Sequence, residues 1–300
     1  MRLFFNSLNK TANGFFDDVT VIYSLRKPSF TTEWTNAVIR LRRSSDNDQK
    51  YVFFDSNNKV SLSSVVSNIS DEPTSTTLGD WVGTDDAYVN FMIGLTPDNA
   101  VDSNLTLGQG GSVLQPRFIS SGVIETIGGE PKINFLSGTS RLDAPVNNVL
   151  DSGNDFTILS VSNNESSNDV GILISTTDDV SNYRFDFLVD RRSVLRAYRF
   201  VNDLASTNID LLSQQDNSSQ RLDAIVNVGR TASNYINGDI QSENLSWTGD
   251  YVNDGFRVGS GRQDSAPLNG SFQEIIIYSN DKTSDLSEIN NNINEYYNIY

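Results

Sequence analysis

The sequence predicts an all-β fold, a two-sheet antiparallel sandwich that ends in one short helix. Short apolar segments recur roughly every 8–15 residues between polar turns, a spacing typical of sandwiches and barrels. Strict alternation occurs at 183–189, where Tyr183, Phe185 and Phe187 share one face. Helical periodicity is restricted to one C-terminal segment. A single large sandwich can use all 300 residues as one domain.

The strand candidates follow in chain order, and most are bounded by Gly, Asn, Asp or Ser. They span 19–24, 37–41, 88–93, 155–162, 170–175, 183–189, 194–200, 221–228, 233–236, 256–259 and 270–278. The pair Asn237 and Gly238 follows one of them and predicts a tight hairpin, because both residue types accept positive φ.

The C-terminal segment 284–297 is predicted to form the helix. Leu286, Ile289 and Ile293 recur at helical spacing and continue into Tyr296 and Tyr297. Ser284 is the expected N-cap, and the acidic residues that follow it suit the first turn of a helix. Because Asn is a poor helix former, we expect packing against the sandwich to stabilise this helix.

The first third of the chain has weaker patterns. We expect a short helix at 61–68, and long loops over 70–112 with one strand at 88–93. No composition break marks a second domain, so the sandwich is predicted to span 19–300. Residues 1–18 form an apolar arm, either an assembly segment that inserts into a neighbouring subunit or a first strand of the same sandwich. Its candidate assembly residues are Leu3, Phe4, Phe5, Phe15 and Phe16.

Charge and composition exclude several classes of function. With 22 Lys and Arg against 38 Asp and Glu, the net charge of −16 disfavours binding to nucleic acid or to anionic lipid. No apolar run is long enough to span a membrane, and the N-terminus does not resemble a signal peptide. Without Cys or His, catalysis would depend on carboxylates.

Several segments together resemble the concanavalin A-like (laminin-G-like) jelly-roll proteins of bacteriophage virions. The same order is similar to the catalytic domain of α-L-arabinofuranosidase B. The segments that carry this resemblance are 23–26, 37–47 with its Arg-Arg-Ser-Ser-Asp run, 115–122, 129–135, 235–239, 258–261, 269–278 and the terminal helix that ends at Tyr300. The resemblance implies a concanavalin A-like jelly-roll sandwich over about residues 20–300.

The residues that the arabinofuranosidase resemblance would make catalytic depart from that pattern. A carboxylate is expected after a Gly-Gly pair, but this chain has Arg262 or Gln263 there, with Asp264 displaced by about one residue. Asp186 and Asp190 are the candidates for the second carboxylate that glycoside hydrolysis requires. The Trp-Tyr-Asp-Gln-Ser-Gly-Asn-Gly signature is missing from 91–99. The sequence therefore predicts that the protein is not an enzyme.

Carbohydrate-binding candidates are the three tryptophans and one carboxylate, because sugar faces stack on aromatic rings. They are Trp34, Trp81, Trp247 and Asp264. Arg40, Arg42 and Arg43 form a positive patch in a short strand, and alternation puts Arg40 and Arg42 on one face with Arg43 opposite. This patch either pairs with Asp46, Asp48 and other carboxylates or binds an acidic or sulfated sugar. Glu274 is expected to face solvent or to pair with a loop. Acidic loops would permit calcium, but no ligand motif supports a metal or cofactor.

These observations predict a bacteriophage virion protein, a capsid decoration, head fibre or tail appendage, made in the host cytoplasm without export. Its expected partners are other virion proteins and further copies of itself, with a host-surface glycan as a further ligand. The alternatives are a carbohydrate-binding module and a degenerate glycoside hydrolase of the arabinofuranosidase type.

Overall fold

The computed structural model describes residues 16–29, 33–136, 140–144, 150, 154–165, 170–176, 184–190, 196–201, 206–210, 219–246, 255–261 and 266–300. The strands in the first half are β1 (Val21–Ser24), β2 (Ile39–Arg43), β3 (Gln49–Val52), β4 (Val66–Ser67), β5 (Ala87–Met92), β6 (Leu107–Gly108), β7 (Arg117–Ser120), β8 (Val123–Ile124), β9 (Thr126–Ile127), β10 (Glu130–Pro131), β11 (Ile133–Phe135) and β12 (Leu142–Asp143). Those in the second half are β13 (Phe156–Asn164), β14 (Val170–Thr176), β15 (Arg184–Asp190), β16 (Arg196–Val201), β17 (Ser206–Asp210), β18 (Arg221–Val228), β19 (Thr231–Ile236), β20 (Asp239–Ser246), β21 (Phe256–Val258) and β22 (Gly270–Tyr278). The helices are α1 (Leu78–Val82) and α2 (Leu286–Tyr297), with 3-10 turns at Ser103–Leu105 and Ser112–Leu114.

The strands form a two-layer antiparallel sandwich, which confirms the predicted fold class. The front sheet has the order β4, β3, β2, β5, β6, β12, β21, β14, β15, β16, β17. The back sheet has the order β8, β7, β11, β22, β13, β18, β19, β20, and β1 also pairs with β22. Pairing of β5 with β7 joins the two layers. No helix in the described ranges is long and apolar enough to cross a membrane.

The core lies between the layers and follows from the period-two alternation of the strands. On the front sheet, an inner row of cross-strand partners is fully buried; it consists of Val52, Ile39, Met92, Leu107, Leu142, Val258 and Ile174. From the back sheet, Tyr23 packs edge-on against Phe256 at 5.9 Å and donates its hydroxyl to the Leu105 carbonyl. Burying each such side chain contributes about 1.5–3 kcal/mol, so the inner row specifies which face turns inward.

Helix α2 covers the outer face of the back sheet, as its spacing predicts. Leu286, Ile289, Ile293 and Tyr297 are its buried apolar residues. The N-cap is Asp285 rather than the predicted Ser284, and no side-chain hydrogen bond caps this end. The helix ends at Asn298 in the left-handed conformation. Contacts with the sheet therefore stabilise the helix more than its own cap does.

The first third contains more regular structure than the sequence predicts. The helix predicted at 61–68 is absent: residues 61–64 form a turn in which Ser64 Oγ accepts from the Ser61 N–H, and β4 follows. Serine hydroxyls that bond to nearby backbone groups favour such turns over helix. The predicted loops of 70–112 contain α1, which begins where Thr77 Oγ1 accepts from the Asp80 N–H at 3.1 Å.

The hairpin predicted at Asn237 and Gly238 is confirmed. These residues connect β19 to β20, and their φ angles are 50° and 84°. A local dipeptide signal was sufficient here, because positive φ is available to Asn and Gly at little cost.

Candidate functional site

A line of directly paired residues crosses the outer face of the front sheet. We call it the outer row, and its members are Tyr51, Arg40, Phe91, Gly108, Asp143 and Arg257. Each neighbours the next in the ladder, and each sits one position along its strand from a member of the inner row. Because successive side chains on a strand point to opposite faces, apolar residues of the inner row place these aromatic and charged residues outside the core.

A cavity of about 550 Å³, the front cleft, opens on this face. Its lining residues are Tyr51, Ser70, Phe91, Ile93, Val101, Ser103, Thr106, Gly108, Asp143 and Ala144. The volume lies within the range of small-molecule binding sites, which combine apolar walls with a few polar groups. Two aromatic rings, three hydroxyls and one carboxylate give the front cleft this composition.

Gly108 forms the floor of the front cleft between Phe91 and Asp143. A Cβ atom at this position would lie 2.7 Å from Cε1 and 2.8 Å from Cδ1 of Phe91. The Phe91 ring therefore lies directly over the glycine, and any larger residue would displace it. The missing side chain leaves the space that the Phe91 ring occupies.

Asp143 is held by two arginines. Arg257 Nε donates to Oδ1 at 2.6 Å, and Arg141 Nε donates to Oδ2 at 3.2 Å. The carboxylate is about one third exposed, so it keeps access to solvent and to a ligand. An ionised carboxylate of this kind accepts hydrogen bonds from hydroxyl groups.

The three arginines of β2 differ in their surroundings. Arg43 pairs with Asp46 at 2.5 Å, and Arg42 Nε donates to Gln115 at 2.7 Å. Arg40 instead lies between the rings of Tyr51 and Phe91, with its guanidinium carbon 5.0 and 5.7 Å from their centroids. Of the two interpretations that the sequence leaves open for this segment, pairing with carboxylates therefore holds for Arg43.

A second arginine cluster lies on the opposite side of the molecule, beneath α2. Arg26 pairs with Glu274 at 3.0 Å, and its guanidinium carbon lies 5.0 Å from the ring centroid of Tyr296 and 5.5 Å from that of Tyr297. Glu274 is 1% exposed, so the expectation that it faces solvent is wrong. The resemblance segments at 23–26 and 269–278 thus meet the terminal helix in one buried cluster.

Neither of the two predicted carbohydrate-binding tryptophans that the structure describes lines the front cleft. Trp34 and Trp81 lie in the hydrophobic core, 3% and 6% exposed, and Trp81 Nε1 donates to Asp48 at 2.8 Å. Such burial leaves neither ring an open face on which a sugar could stack. Trp247 and Asp264 lie outside the described residues.

The predicted assembly arm is described only at its end. Phe16 is 1% exposed and belongs to the core of this same chain. Leu3, Phe4, Phe5 and Phe15 lie outside the described residues. The role of the arm stays a prediction.

The part of the chain that the structure describes contains no candidate metal site. No group of three acidic side chains there could hold a metal ion. Of the acidic loops, Asp85 and Asp98 serve the fold: Asp85 accepts from Ser45, and Asp98 from Thr96.

Comparisons with known proteins show similarity of fold to solved structures and no similarity of sequence. No protein-family model and no curated protein sequence matches the chain. A solved structure of a GH54 α-L-arabinofuranosidase soaked with a cyclic sulfate inhibitor matches 92% of this chain, with a TM-score of 0.60 and 11% identity. A mutant of a GH54 α-L-arabinofuranosidase soaked with 4-nitrophenyl α-L-arabinofuranoside matches equally, at 10% identity. The chain spans 62% of the length of each.

One further neighbour is domain 4 of a GH43 extracellular arabinanase from Geobacillus stearothermophilus, in complex with arabinotriose. It matches 85% of this chain and 98% of its own length, with a TM-score of 0.44 and 13% identity. The similarity in fold to the arabinofuranosidase structures, expected from the sequence, is confirmed.

This similarity corrects the prediction that the protein is not an enzyme. That prediction rested on departures from a catalytic motif, whereas the fold of a glycoside hydrolase extends over 92% of the chain. At 10% identity, motif spacing is an unsafe guide to which residues occupy equivalent places. Missing motifs therefore do not exclude activity.

Proposed function

We propose that this protein binds carbohydrate, and that the saccharide occupies the front cleft. The observation that carries this proposal is the composition of the cleft: about 550 Å³, with two aromatic rings beside hydroxyls and one carboxylate. The fold adds support, since its neighbours in structure are arabinose-active proteins. Of the functions that the sequence leaves open, a carbohydrate-binding module accounts for this cleft best.

The chemistry of the lining suits a sugar. The C–H groups on one face of a sugar ring pack against an aromatic ring, whose face carries partial negative charge, and Phe91 and Tyr51 supply such rings. Sugar hydroxyls need partners that donate and accept, which the hydroxyls of Ser103 and Thr106 provide. The two carboxylate oxygens of Asp143 each accept from one arginine and have lone pairs left with which they would accept from two hydroxyl groups of a sugar.

The test is a pair of alanine variants measured against arabino-oligosaccharides by titration calorimetry. Phe91→Ala removes a ring from the front cleft and should weaken binding at least about tenfold, since one such contact contributes on the order of 1.4 kcal/mol. Tyr235→Ala, on the back sheet, removes an aromatic residue of similar exposure and should leave affinity unchanged. Equal affinities for wild type and Phe91→Ala would place the saccharide elsewhere.

Glycoside hydrolysis is the second candidate function, favoured by the GH54 fold. Asp143 is the carboxylate of the front cleft in the described part of the chain. From Asp143, successive cross-strand partners are Arg257, Ser175 and Asp186, so Asp186 lies three strands away. Three steps of about 4.8 Å separate the two backbone positions by about 14 Å. Binding is the first proposal because the front cleft presents one carboxylate among the described residues, whereas glycoside hydrolysis needs two.

Turnover of 4-nitrophenyl α-L-arabinofuranoside tests this candidate directly. Hydrolysis that Asp143→Asn abolishes, with an unchanged melting temperature, would make Asp143 one of the catalytic pair. Hydrolysis that survives Asp143→Asn would assign catalysis to other carboxylates.

The location of the protein stays a sequence-based proposal, a bacteriophage particle with other virion proteins as partners. A domain that binds host-surface glycan would serve an appendage of such a particle. Deleting residues 2–18 and measuring both incorporation into particles and thermal melting tests the arm. Normal melting with lost incorporation would support its assembly role, and a large loss of stability would make it part of the sandwich.

A further inference from the structure

Arg40 differs from its neighbours on β2 in having no polar partner. Arg43 is surrounded by the carboxylates of Asp46, Asp48 and Asp85. Arg42 is bonded to Gln115 and Asn47. Within the described ranges, Arg40 donates no hydrogen bond and forms no ion pair, and its Nε is buried without a partner. In a chain with net charge −16, one arginine of this strand thus has no polar partner among the described residues.

The position of Arg40 ties it to the front cleft. It is the direct cross-strand partner of both Tyr51 and Phe91, and these two residues line the cleft. With the rings of Tyr51 and Phe91 on two sides of the guanidinium group, its N–H groups remain without a hydrogen-bond acceptor among the described residues. The rings also hold the side chain in place, so little rotamer freedom would be lost when a ligand binds.

The carboxylate that lines the cleft is already paired. Asp143 is neutralised by Arg141 and Arg257. Two more acidic residues adjoin the lining in the sequence: Asp102, whose Oδ1 accepts from the Asn104 N–H, and Asp71, which follows Ser70. Among the described residues beside the cleft, Arg40 is therefore the cation that no carboxylate pairs with.

We propose that the front cleft selects an acidic saccharide, one carrying a carboxylate or a sulfate, and that Arg40 binds the anionic group. The planar fork of a guanidinium matches both groups with paired hydrogen bonds. The sugar ring would pack on Phe91 or Tyr51 while its acidic substituent reaches Arg40 between them. This inference rests on the proposed function and names its ligand class.

The experiment compares matched acidic and neutral polysaccharides. Polygalacturonate is paired with its methyl ester, and chondroitin sulfate with its desulfated form, so the two arms distinguish a carboxylate from a sulfate. Affinities are measured for wild type, Arg40→Gln and Arg43→Gln. The last variant removes the same charge from the same strand and controls for general electrostatic attraction. Thermal melting confirms that each variant is folded.

We expect wild type to bind the acidic member of at least one pair about tenfold or more tightly than the neutral member. Arg40→Gln should abolish this preference, and Arg43→Gln should keep it. If Arg40→Gln does not fold, Arg40→Lys serves, because an ammonium cannot form the paired hydrogen bonds and should reduce the preference.

Three results would overturn the inference. Equal binding of the acidic and neutral members by wild type would show that the cleft does not select charge, while leaving carbohydrate binding intact. Equal loss of preference in Arg40→Gln and Arg43→Gln would assign it to the general field of the protein. Failure of wild type to bind any saccharide would defeat the proposed function as well.

Discussion

Two arginines in the described part of the chain each lie against two aromatic rings, and they differ in what completes each cluster. Arg26 lies against Tyr296 and Tyr297, is paired with Glu274, and is covered by α2. Arg40 lies against Tyr51 and Phe91 at nearly the same distances, but no carboxylate among the described residues pairs with it. The cluster on the back sheet is therefore closed by a carboxylate and a helix, whereas the cluster on the front sheet is open.

The difference separates a structural cluster from a binding cluster. A buried cation whose charge and donors are satisfied within the chain holds two elements together, here the back sheet and the terminal helix. We propose that a cation with unused hydrogen-bond donors beside a cavity, as at Arg40, binds a ligand instead. Interaction with the rings alone contributes about 0.5–2 kcal/mol, too little to make Arg40 essential for folding.

The largest expected effect is the loss of the closed cluster. Arg26→Met leaves the Glu274 carboxylate buried and unpaired, which should lower the free energy of unfolding by about 3–5 kcal/mol. For a chain of this size the melting temperature should fall by roughly 6–10 °C. Calorimetric melting checks this value.

The control for this prediction is Arg40→Met, which leaves no carboxylate unpaired and should cost about 1 kcal/mol. Adding Glu274→Leu to Arg26→Met should restore most of the lost stability, because an apolar pair can replace a buried ion pair. Equal losses for Arg26→Met and Arg40→Met would remove the distinction between the two clusters.

A moderate effect is expected for Trp81, which the sequence proposes as a sugar contact. Trp81→Phe removes the hydrogen bond from Nε1 to Asp48 and part of the packed ring, at a cost of about 1–2 kcal/mol. Saccharide affinity should not change. Denaturant unfolding and titration calorimetry measure the two quantities, and lost affinity with normal stability would instead support the sequence-based assignment.

A smaller effect is expected at the floor of the front cleft. Gly108→Ala places a methyl group against the Phe91 ring and should lower saccharide affinity about tenfold, or about 1.4 kcal/mol. Gly110→Ala is the matched control, because a Cβ atom there meets nothing within 4 Å. An unchanged affinity in Gly108→Ala would show that the ligand does not depend on the position of the Phe91 ring.

The smallest effect concerns the paired arginine of β2. The hydrogen bond from Arg43 lowers the pKa of Asp46 to about 2 from its ordinary value of 3.8. The pair therefore contributes stability above about pH 3.8 and loses it as the pH falls towards 2. Arg43→Gln should return the pKa towards 3.8, measured by NMR titration of the carboxyl carbon, whereas Arg40→Gln should leave it in place.

Sequence patterns were most reliable where the controlling interaction is local. The apolar, turn-bounded segment 221–228 and the dipeptide Asn237-Gly238 are each predicted from neighbours in the chain, and both elements form. The helical spacing of Leu286, Ile289 and Ile293 likewise located α2 to within two residues at its start. The T-x-x-D pattern at Thr77 and Asp80 was a usable helix-start signal that the composition of the surrounding loop obscured.

The candidate site was only partly accessible from sequence. The alternation of β2 indicated that Arg40 lies away from the core-facing Leu41, and the structure agrees. Nothing local indicated that Tyr51 and Phe91 would lie on either side of Arg40. The sequence indicated the tryptophans instead, because sugar faces stack on aromatic rings, but Trp34 and Trp81 are buried in the core.

The sequence by itself therefore determined the longer apolar strands such as β13, β18 and β22, together with the terminal helix and the hairpin turn. Only the tertiary structure decided which outward residues meet. Phe91, Gly108, Asp143 and Arg257 are widely separated in the chain, and long-range pairing in one register aligns them. Register depends on the summed burial of the whole inner row, because a shift of one residue would turn that row to solvent. No local pattern contains that sum, so the front cleft and its unpaired arginine emerge only when the sheet is assembled.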